Sequence, residues 1–290
     1  MRPTIRDVAQ QAGVSIATVS RALRDSGSVR QDTRARVLEA AERLQFTPSR
    51  LGRQLAERRH AANGIVFPDL SGPYYAEVVL GYEAVASERE RSVLILSTHG
   101  RAAAPAMVED LATRCDGMVI MGRTVADEVV ERLVARGMPV VLLARPPIGE
   151  VDSVNADNRG SAVLLGRHVL ERGALRITFV GDPDASPDVA ERWAGVREAA
   201  SDVRGVDLGV LPSDGGAGTG VPDRVMVTGW DDVMAARYAG LTTVRQPMRA
   251  LGGTAARLLD ELVTGTRTAP RHELLPTELV IRTSTAPTTK

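Results

Sequence analysis

From residue 64 onward, short unbroken apolar runs alternate with stretches whose apolar residues recur at helical spacing. Runs at 64–67, 93–96, 118–121, 140–143, 177–180, 208–211 and 225–228 read as buried strands. Helical stretches at 75–90, around Met107, at 125–136, 159–171, 192–200, around Ala235 and at 248–263 separate them, and a strand-like tail follows at 278–281. Strands that are apolar throughout need cover on both faces, which parallel sheets flanked by helices provide. Two such series side by side leave a cleft at the carboxyl ends of their strands, where small ligands bind. No G-x-G-x-x-G or G-x-x-x-x-G-K-[ST] phosphate loop occurs, and no internal repeat.

The first 23 residues follow a different rhythm. Thr4 followed by Asp7 resembles a capping box, with Val8 and Ala9 on the apolar face of a first short helix. Gly13 supplies a turn that needs a positive φ, and Ser15 caps a second helix. Val14, Val19, Ala22 and Leu23 point inward at helical spacing. Ile16, Ala17, Thr18, Ser20 and Arg21 are left outside, short side chains plus one arginine that can lie close to a base-pair floor. This is the pattern of a helix-turn-helix whose second helix enters the major groove. A third helix at 31–44 buries Val37, Ala41 and Leu44 and keeps Arg34, Arg36 and Arg43 outside. The segment 49–56, with Leu51 and Leu55 one turn apart and Arg50 and Arg53 beside them, is a helix too short to stand alone. Residues 57–63 read as a linker.

Charge divides the chain at the same place. The first sixty residues hold 12 basic against 6 acidic groups, and the other 230 hold 24 against 30, although the formal net charge is zero. A basic head suits a phosphate backbone and an acidic body does not. Lys290 is the only lysine, so the head is positive through arginine, whose planar fork grips guanine or phosphate bidentately. The single cysteine, Cys115, excludes an internal disulfide and fits a reducing cytoplasm. No apolar run approaches the ~20 residues of a membrane span, and no apolar leader is visible at the N-terminus. His60, His99, His168 and His272 show no metal-ligand spacing. Neighbouring Asp231 and Asp232 point apart too readily to act as a catalytic carboxylate pair. An enzyme is therefore not expected, nor a cofactor or metal. A transported-sugar binder is disfavoured by the helix-turn-helix and the absent leader.

In Thr4-Ile5-Arg6-Asp7-Val8-Ala9, Ala12-Gly13-Val14-Ser15, Thr18-Val19-Ser20-Arg21 and the segment 48–55, the head resembles the lac-repressor (LacI/GalR) family of transcriptional regulators. The likeness continues through Pro73-Tyr74-Tyr75, Val154-Asn155-Ala156-Asp157-Asn158, Gly229-Trp230-Asp231-Asp232 and Thr242-Thr243-Val244-Arg245-Gln246-Pro247. The resemblance implies an all-α helix-turn-helix domain (1–56, hinge helix about 49–56), a linker (57–63) and a two-lobed α/β periplasmic-binding-protein-like core (64–290). The lobes divide near 150, at about 64–150 and 151–290, with the chain crossing back. It also implies a homodimer on a palindromic operator of double-stranded DNA, repression as the default, and a sugar-like or nucleoside-like effector.

Particular residues take roles from the same resemblance. Ile16 and Ala17 face base edges, where their apolar surface suits thymine methyl groups, and Arg21 is placed for a bidentate guanine contact. Thr4, Ser15, Thr18 and Ser20 reach phosphates. Leu55 enters a central minor-groove step, with Arg50 and Arg53 flanking it. In the core, Tyr74, Tyr75, Arg145, Arg192, Trp230 and Asp231 are the effector-site candidates.

The chain departs from the family pattern in two places. In the head, Arg30 stands where a capping serine is expected, at a cost of about 1 kcal/mol, Gln45 replaces a glycine, and Phe46 replaces a tyrosine. In the core, only the thirteen residues 212–224 separate the runs at 208–211 and 225–228, six of them Gly or Pro. The family pattern has a helix, a central strand and a second helix there. The shortfall is roughly forty to fifty residues, and a parallel crossover needs about a dozen, usually with a helix. The second lobe is therefore expected to be incomplete, with a rearranged sheet or an exposed apolar edge. A constitutive DNA-binding regulator with a degenerate, merely dimerising core is the alternative reading.

Overall fold

The computed structural model describes residues 3–23, 29–46, 60–211 and 225–286. The chain divides into a head, 1–60, and a core, 61–290. In the head, α1 (Ile5–Ala12), α2 (Ile16–Leu23) and α3 (Gln31–Arg43) close around Val8, Val19 and Val37, all fully buried, with Ala9, Ala12, Ala22, Ala40 and Ala41. The helix starts follow from their caps. The Thr4 amide and hydroxyl both donate to Asp7 Oδ2, at 2.7 and 2.8 Å, and the Thr18 amide donates to Ser15 Oγ at 3.1 Å. Gly13 takes φ 64° between α1 and α2, a value costly for a residue with Cβ. Arg30 contributes no side-chain cap to α3, and Gln45 is held at φ 49° where the family pattern has glycine.

The first lobe is one parallel sheet whose strands lie, edge to edge, in the order His272–Leu275, Asp152–Ala156, Val140–Leu143, Gly117–Met121, Ala62–Phe67 and Ser92–Ser97. Its strands are β1 (Ala62–Phe67), β2 (Ser92–Ser97), β3 (Gly117–Met121), β4 (Val140–Leu143), β5 (Asp152–Ala156) and β10 (His272–Leu275). Side-chain alternation sorts the strand residues to two covered faces. Ile65, Phe67, Val119, Met121, Val141 and Leu143 face α4 (Pro73–Glu88) and α10 (Met248–Thr264). Val66, Met118, Ile120, Val140 and Leu142 face α5 (Ala104–Ala112) and α6 (Asp127–Ala135). Helices α4 and α10 cross almost backbone to backbone. A Cβ on Gly81 would lie 2.0 Å from the Arg249 carbonyl oxygen, and one on Gly252 would lie 2.0 Å from that of Val78.

Sequence and structure differ at the edges of this lobe. Strand β1 starts at Ala62, inside the expected linker. Strand β5 belongs to the first sheet, so that lobe runs past residue 150, and α10 and β10 return to it. Strands β5, β9 (Thr242–Arg245) and β10 lack the continuous apolar runs that marked the others.

The second lobe holds α7 (Asn158–Glu171), β6 (Arg176–Val180), α8 (Pro187–Ser201), β7 (Asp207–Leu211), β8 (Thr228–Trp230), α9 (Met234–Tyr238), β9 and β11 (Glu278–Val280). Among the described residues its strands form two separate sheets. One is the parallel pair β6-β7, and the other runs β11-β9-β8 with β11 antiparallel. The expected strand at 225–228 starts later, at Thr228, and Val225 is 52% exposed. Helices α7 and α8 pack closely, because Gly195 leaves room for the Arg159 carbonyl, 2.4 Å from where its Cβ would stand.

Candidate DNA-reading face and ligand cleft

The packing that buries Val19 and Ala22 turns the rest of α2 outward. Ile16 is 45% exposed, Ala17 and Arg21 are exposed, and Thr18 and Ser20 are half-buried. The hydroxyls assigned to phosphates are partly engaged. Thr4 gives its hydrogen to Asp7, so it has none to offer a phosphate oxygen without rotating. Ser15 and Thr18 share one hydrogen at 2.9 Å, which leaves one hydroxyl of the two able to donate outward. Asp7 is held ionised by the amide and hydroxyl of Thr4, its carboxyl lying below the usual range. Arg50, Arg53 and Leu55 lie outside the described residues, as does the interval 212–224.

In the core, β1 delivers the chain to the start of α4, where Tyr74 and Tyr75 meet edge to face at 5.5 Å and Tyr75 meets Phe67 at 5.8 Å. Arg192, on α8, donates from Nε to Asn158 Oδ1 at 2.8 Å, and its guanidinium lies 4.5 Å above the Trp230 ring. Asp188, one turn before it on α8, stands 3.9 Å away. Asp231 follows β8 at φ 76°, with Asp232 next at φ 50°, a strained pair of non-glycine residues. The Gln246 amide nitrogen donates to Asp231 Oδ1. Asp231 and Gln246, with Glu77, Met248 and Arg249, line a cavity of ≈ 250 Å³.

Charges and burial tie these groups into one site. Burial raises the Tyr74 phenol far above its ordinary range, and the carboxylates of Asp188 and Asp231 add to the effect. Burial likewise raises Asp188, against the opposing pull of Arg192 and of an Asn158 hydrogen bond. Three buried polar atoms here lack a protein partner: Tyr74 Oη, Trp230 Nε1 and Gln246 Oε1. Buried polar groups without partners are costly, so a cleft holding three is built to be filled by a ligand or water.

Four of the predicted effector residues therefore converge: Tyr74, Arg192, Trp230 and Asp231, with Tyr75 beside them. Arg145 does not join them. Its side chain is 2% exposed and its guanidinium is bound to Asp127 and to the Gly122 carbonyl, so its place at the end of β4 turns it into an anchor for the loop before α6. Trp230 has one face covered by Arg192, which leaves its ring partly packed already. Asn158, Asp188 and Gln246 escaped the sequence reading. Asn158 and Gln246 stand inside the stretches quoted for the resemblance, and Asp188 sits four residues before Arg192 on one helix face.

Asp232 has a different part. Its side chain is fully buried and accepts from Arg245 at 2.8 Å and from Arg282 at 2.6 Å, with Arg237 at 3.7 Å. It joins the end of β8 to β9 and to the tail after β11.

Comparison with known proteins agrees with this division. Residues 4–49 match the model for "Bacterial regulatory proteins, lacI family". Residues 60–208 match "Periplasmic binding proteins and sugar binding domain of LacI family", and residues 208–285 match a periplasmic binding protein-like domain. The HTH-type transcriptional regulator pepR1 of Lactobacillus delbrueckii subsp. lactis is 28% identical over 326 residues, covering 97% of each chain. Catabolite control protein A of Priestia megaterium is 28% identical and covers 98% of this chain and 100% of its own. The solved structure of the transcriptional regulator CelR with cellobiose is 26% identical, with a TM-score of 0.68 over 98% of this chain and all of that one. The lac repressor dimer bound to operator shares the fold at 23% identity, with a TM-score of 0.83 over 98% of this chain and 99% of that one. With a helix-turn-helix head and a sugar-binding-type core each matched in turn, the chain belongs to the lacI family of bacterial regulatory proteins and is a DNA-binding transcriptional regulator.

Proposed function

We propose that this regulator represses transcription in the cytoplasm, binding a palindromic operator as a homodimer and responding to a small polyhydroxylated effector held in the core cleft. The observation that carries the DNA reading is the outward edge of α2, where Ile16, Ala17 and Arg21 stand exposed on a helix whose other side is sealed in the head's core. Ile16 and Ala17 read thymine methyls, Arg21 reads a guanine, and Ser15, Thr18 and Ser20 fix register on phosphates, with Thr4 after its hydroxyl rotates. Arg50, Arg53 and Leu55 are assigned to the operator centre on the family resemblance alone.

The cleft reading rests on Tyr74, Arg192, Trp230 and Asp231 meeting around three unpartnered polar atoms. The names of relatives point to the same class of ligand, with cellobiose in the CelR structure and a ribose operon repressor among the similar proteins. Selection of bound DNA from a random pool, with and without sugars and nucleosides, tests both parts. A palindrome should emerge, and an effector should weaken its retention. Arg21→Ala should cost about 1–3 kcal/mol at one guanine position. An equal loss on every sequence would remove Arg21 from base readout.

A second reading has its own support. The alignment with pepR1 spans 326 residues although this chain has 290, the two core models meet at residue 208, and among the described residues the second-lobe strands lie in two sheets. These features favour an internal deletion at 212–224 that leaves a constitutive DNA binder. Operator retention indifferent to every sugar and nucleoside tried would favour that reading.

A further inference from the structure

We propose that Asp116 is a positioning residue for operator binding, fixing the point and the direction in which the chain leaves the core for the DNA-reading head. The inference rests on the reading of a homodimer on a palindromic operator and adds what keeps its two halves in step. Ala61 is the first residue of the core and stands directly before β1. Its backbone N–H and C=O are both held. The amide donates to Asp116 Oδ2 at 2.9 Å, and the carbonyl accepts from the Ser92 amide at 2.9 Å. Its φ is 48°, a left-handed value that alanine rarely adopts. Strain of this kind persists where the surroundings over-determine the backbone, and these two hydrogen bonds do so here.

Asp116 is itself held in place. The same Oδ2 accepts from Arg91 Nη1 at 3.2 Å, and Arg91 Nε donates to Asp260 Oδ1 on α10 at 2.9 Å. The side chains of Asp116 and Arg91 are 7% and 9% exposed, so their charges depend on one another and on these hydrogen bonds. The Asp116 amide closes the joint by donating to the Ala62 carbonyl at 2.8 Å. Turning Ala61 to an ordinary backbone angle would take its amide from a charged acceptor. The turns before β2 and β3 and the helix α10 are thereby tied to the one residue at which the linker meets the core. That placement matters for a dimer on two half-sites. Once one head is bound, the second binds intramolecularly, at an effective concentration set by the length and stiffness of its tether. A released Ala61 lengthens the tether, and a change in its φ redirects the chain that precedes it.

The test uses the full-length protein at low salt, where a single half-site is retained. It compares affinity for the palindrome selected from the random pool with affinity for the same duplex carrying one scrambled half. Asp116→Asn should lower the palindrome-to-half-site ratio about fivefold or more and leave half-site affinity unchanged, because the reading face of each head is untouched. Ala61→Val keeps every charge but disfavours the left-handed φ, and it should lower the ratio in the same way, which keeps the test open should Asp116→Asn fold poorly. Asp152→Asn is the matched control. It removes a carboxylate at least as buried, at the start of β5, that accepts from Arg267 and from the Arg271 amide at 2.8 Å and does not touch Ala61. Its ratio should equal that of the parent. A parental ratio in either Asp116→Asn or Ala61→Val, once its melting curve shows it folded, would overturn the inference. So would an equal fall in Asp152→Asn, which would reduce the effect to the stability of the sheet. If the parent holds the half-site as tightly as the palindrome, the homodimer reading falls and the inference falls with it.

Discussion

Every residue of strands Ala62–Phe67, Gly117–Met121 and Val140–Leu143 in the first lobe is buried, whereas strands Arg176–Val180 and Asp207–Leu211 in the second contain no buried residue. The second set is less apolar, each strand opening on a charged residue, yet its Ile177, Phe179, Val180, Leu208, Val210 and Leu211 are as apolar as the residues buried in the first. Cover differs as well: the first set lies inside a six-stranded sheet with helices on both faces, and among the described residues the second forms a two-stranded sheet. Val180 and Leu211 are each 56% exposed in consequence. A parallel strand is apolar because its fold covers it twice, and losing a neighbour strands that surface in water. The second lobe holds instead through polar joints. Asp232 gathers Arg245 and Arg282, and the Thr242 amide donates to Ser284 Oγ, whose hydroxyl donates to the Val227 carbonyl at 2.6 Å.

The two lobes carry their own reporters. Both tryptophans, Trp193 and Trp230, are in the second lobe, and the one cysteine, Cys115, is buried in the first. Burial also raises the Cys115 thiol, to about 11, so labelling it requires unfolding. In urea, tryptophan fluorescence should change before Cys115 becomes reactive. Coincident transitions would mean the lobes unfold as one unit and would break the comparison. Phe67→Ala, removing a fully buried ring, should destabilise the first lobe by about 3–5 kcal/mol, whereas Val180→Ala should stay within about 0.5 kcal/mol. A Val180→Ala cost as large as a core deletion would show that something covers the β6-β7 pair in solution.

How much of this was legible in sequence follows the same line. Strands β1, β3 and β4 were visible because they are apolar on both faces. Strand β5, Asp-Ser-Val-Asn-Ala, was hidden because its polar residues are buried by partners far along the chain: Asp152 is 2% exposed and accepts from Arg267. Arg145 shows the same limit at the site. A strand-end arginine can face a cleft or fold back on a neighbour, and only tertiary structure supplies Asp127 and Gly122. Asn158, Asp188 and Gln246 become site residues through contacts with Arg192 and Asp231, which residue type alone does not reveal. The first three helices of the head were legible because caps and turn lie within three or four residues of each other.

Removing the Asp232 carboxylate tests whether polar joints hold the second lobe. Asp232→Asn leaves Arg282 without the Asp232 charge and Arg245 with only Glu278, 2.6 Å away. The loss should be about 2–3 kcal/mol, less than for a fully buried pair because Arg245 is 41% exposed. Burial acts to raise the Asp232 pKa, but hydrogen bonds and charge from Arg245 and Arg282 outweigh it and hold the carboxyl below its ordinary value. The folded state thus releases this proton more readily than the unfolded chain. Its contribution is present above the unfolded value of about 3.9 and is lost as pH falls through the lower folded value. Acid titration followed by tryptophan fluorescence should show that loss in the parent protein and a flatter curve in Asp232→Asn. Matching curves would assign the acid sensitivity to other carboxylates.

The smallest expected effect concerns His168, where the second lobe's sheet meets its longest helix pair. The ring is 7% exposed on α7, and its Nε2 lies 2.8 Å from Thr285 Oγ1, which in turn lies 2.7 Å from Thr242 Oγ1 on β9. Burial lowers its pKa, and Arg172 adds repulsion that Glu171 only partly offsets. The unfolded chain therefore takes up the proton first, so the stability from keeping the ring neutral is full above the unfolded value of about 6.5 and declines as pH falls through it toward the folded value. Asp232 and Arg245 stay ionised throughout that window, and the thiol of Cys115 stays protonated, so neither contributes to the change. The tryptophan transition in urea should move to lower denaturant between neutral and mildly acidic pH, with no matching move in Cys115 labelling. His168→Gln keeps a side chain able to bond Thr285 but cannot titrate, and it should hold the tryptophan midpoint constant over the same range. A shift that persists in His168→Gln would place the pH sensitivity outside this joint.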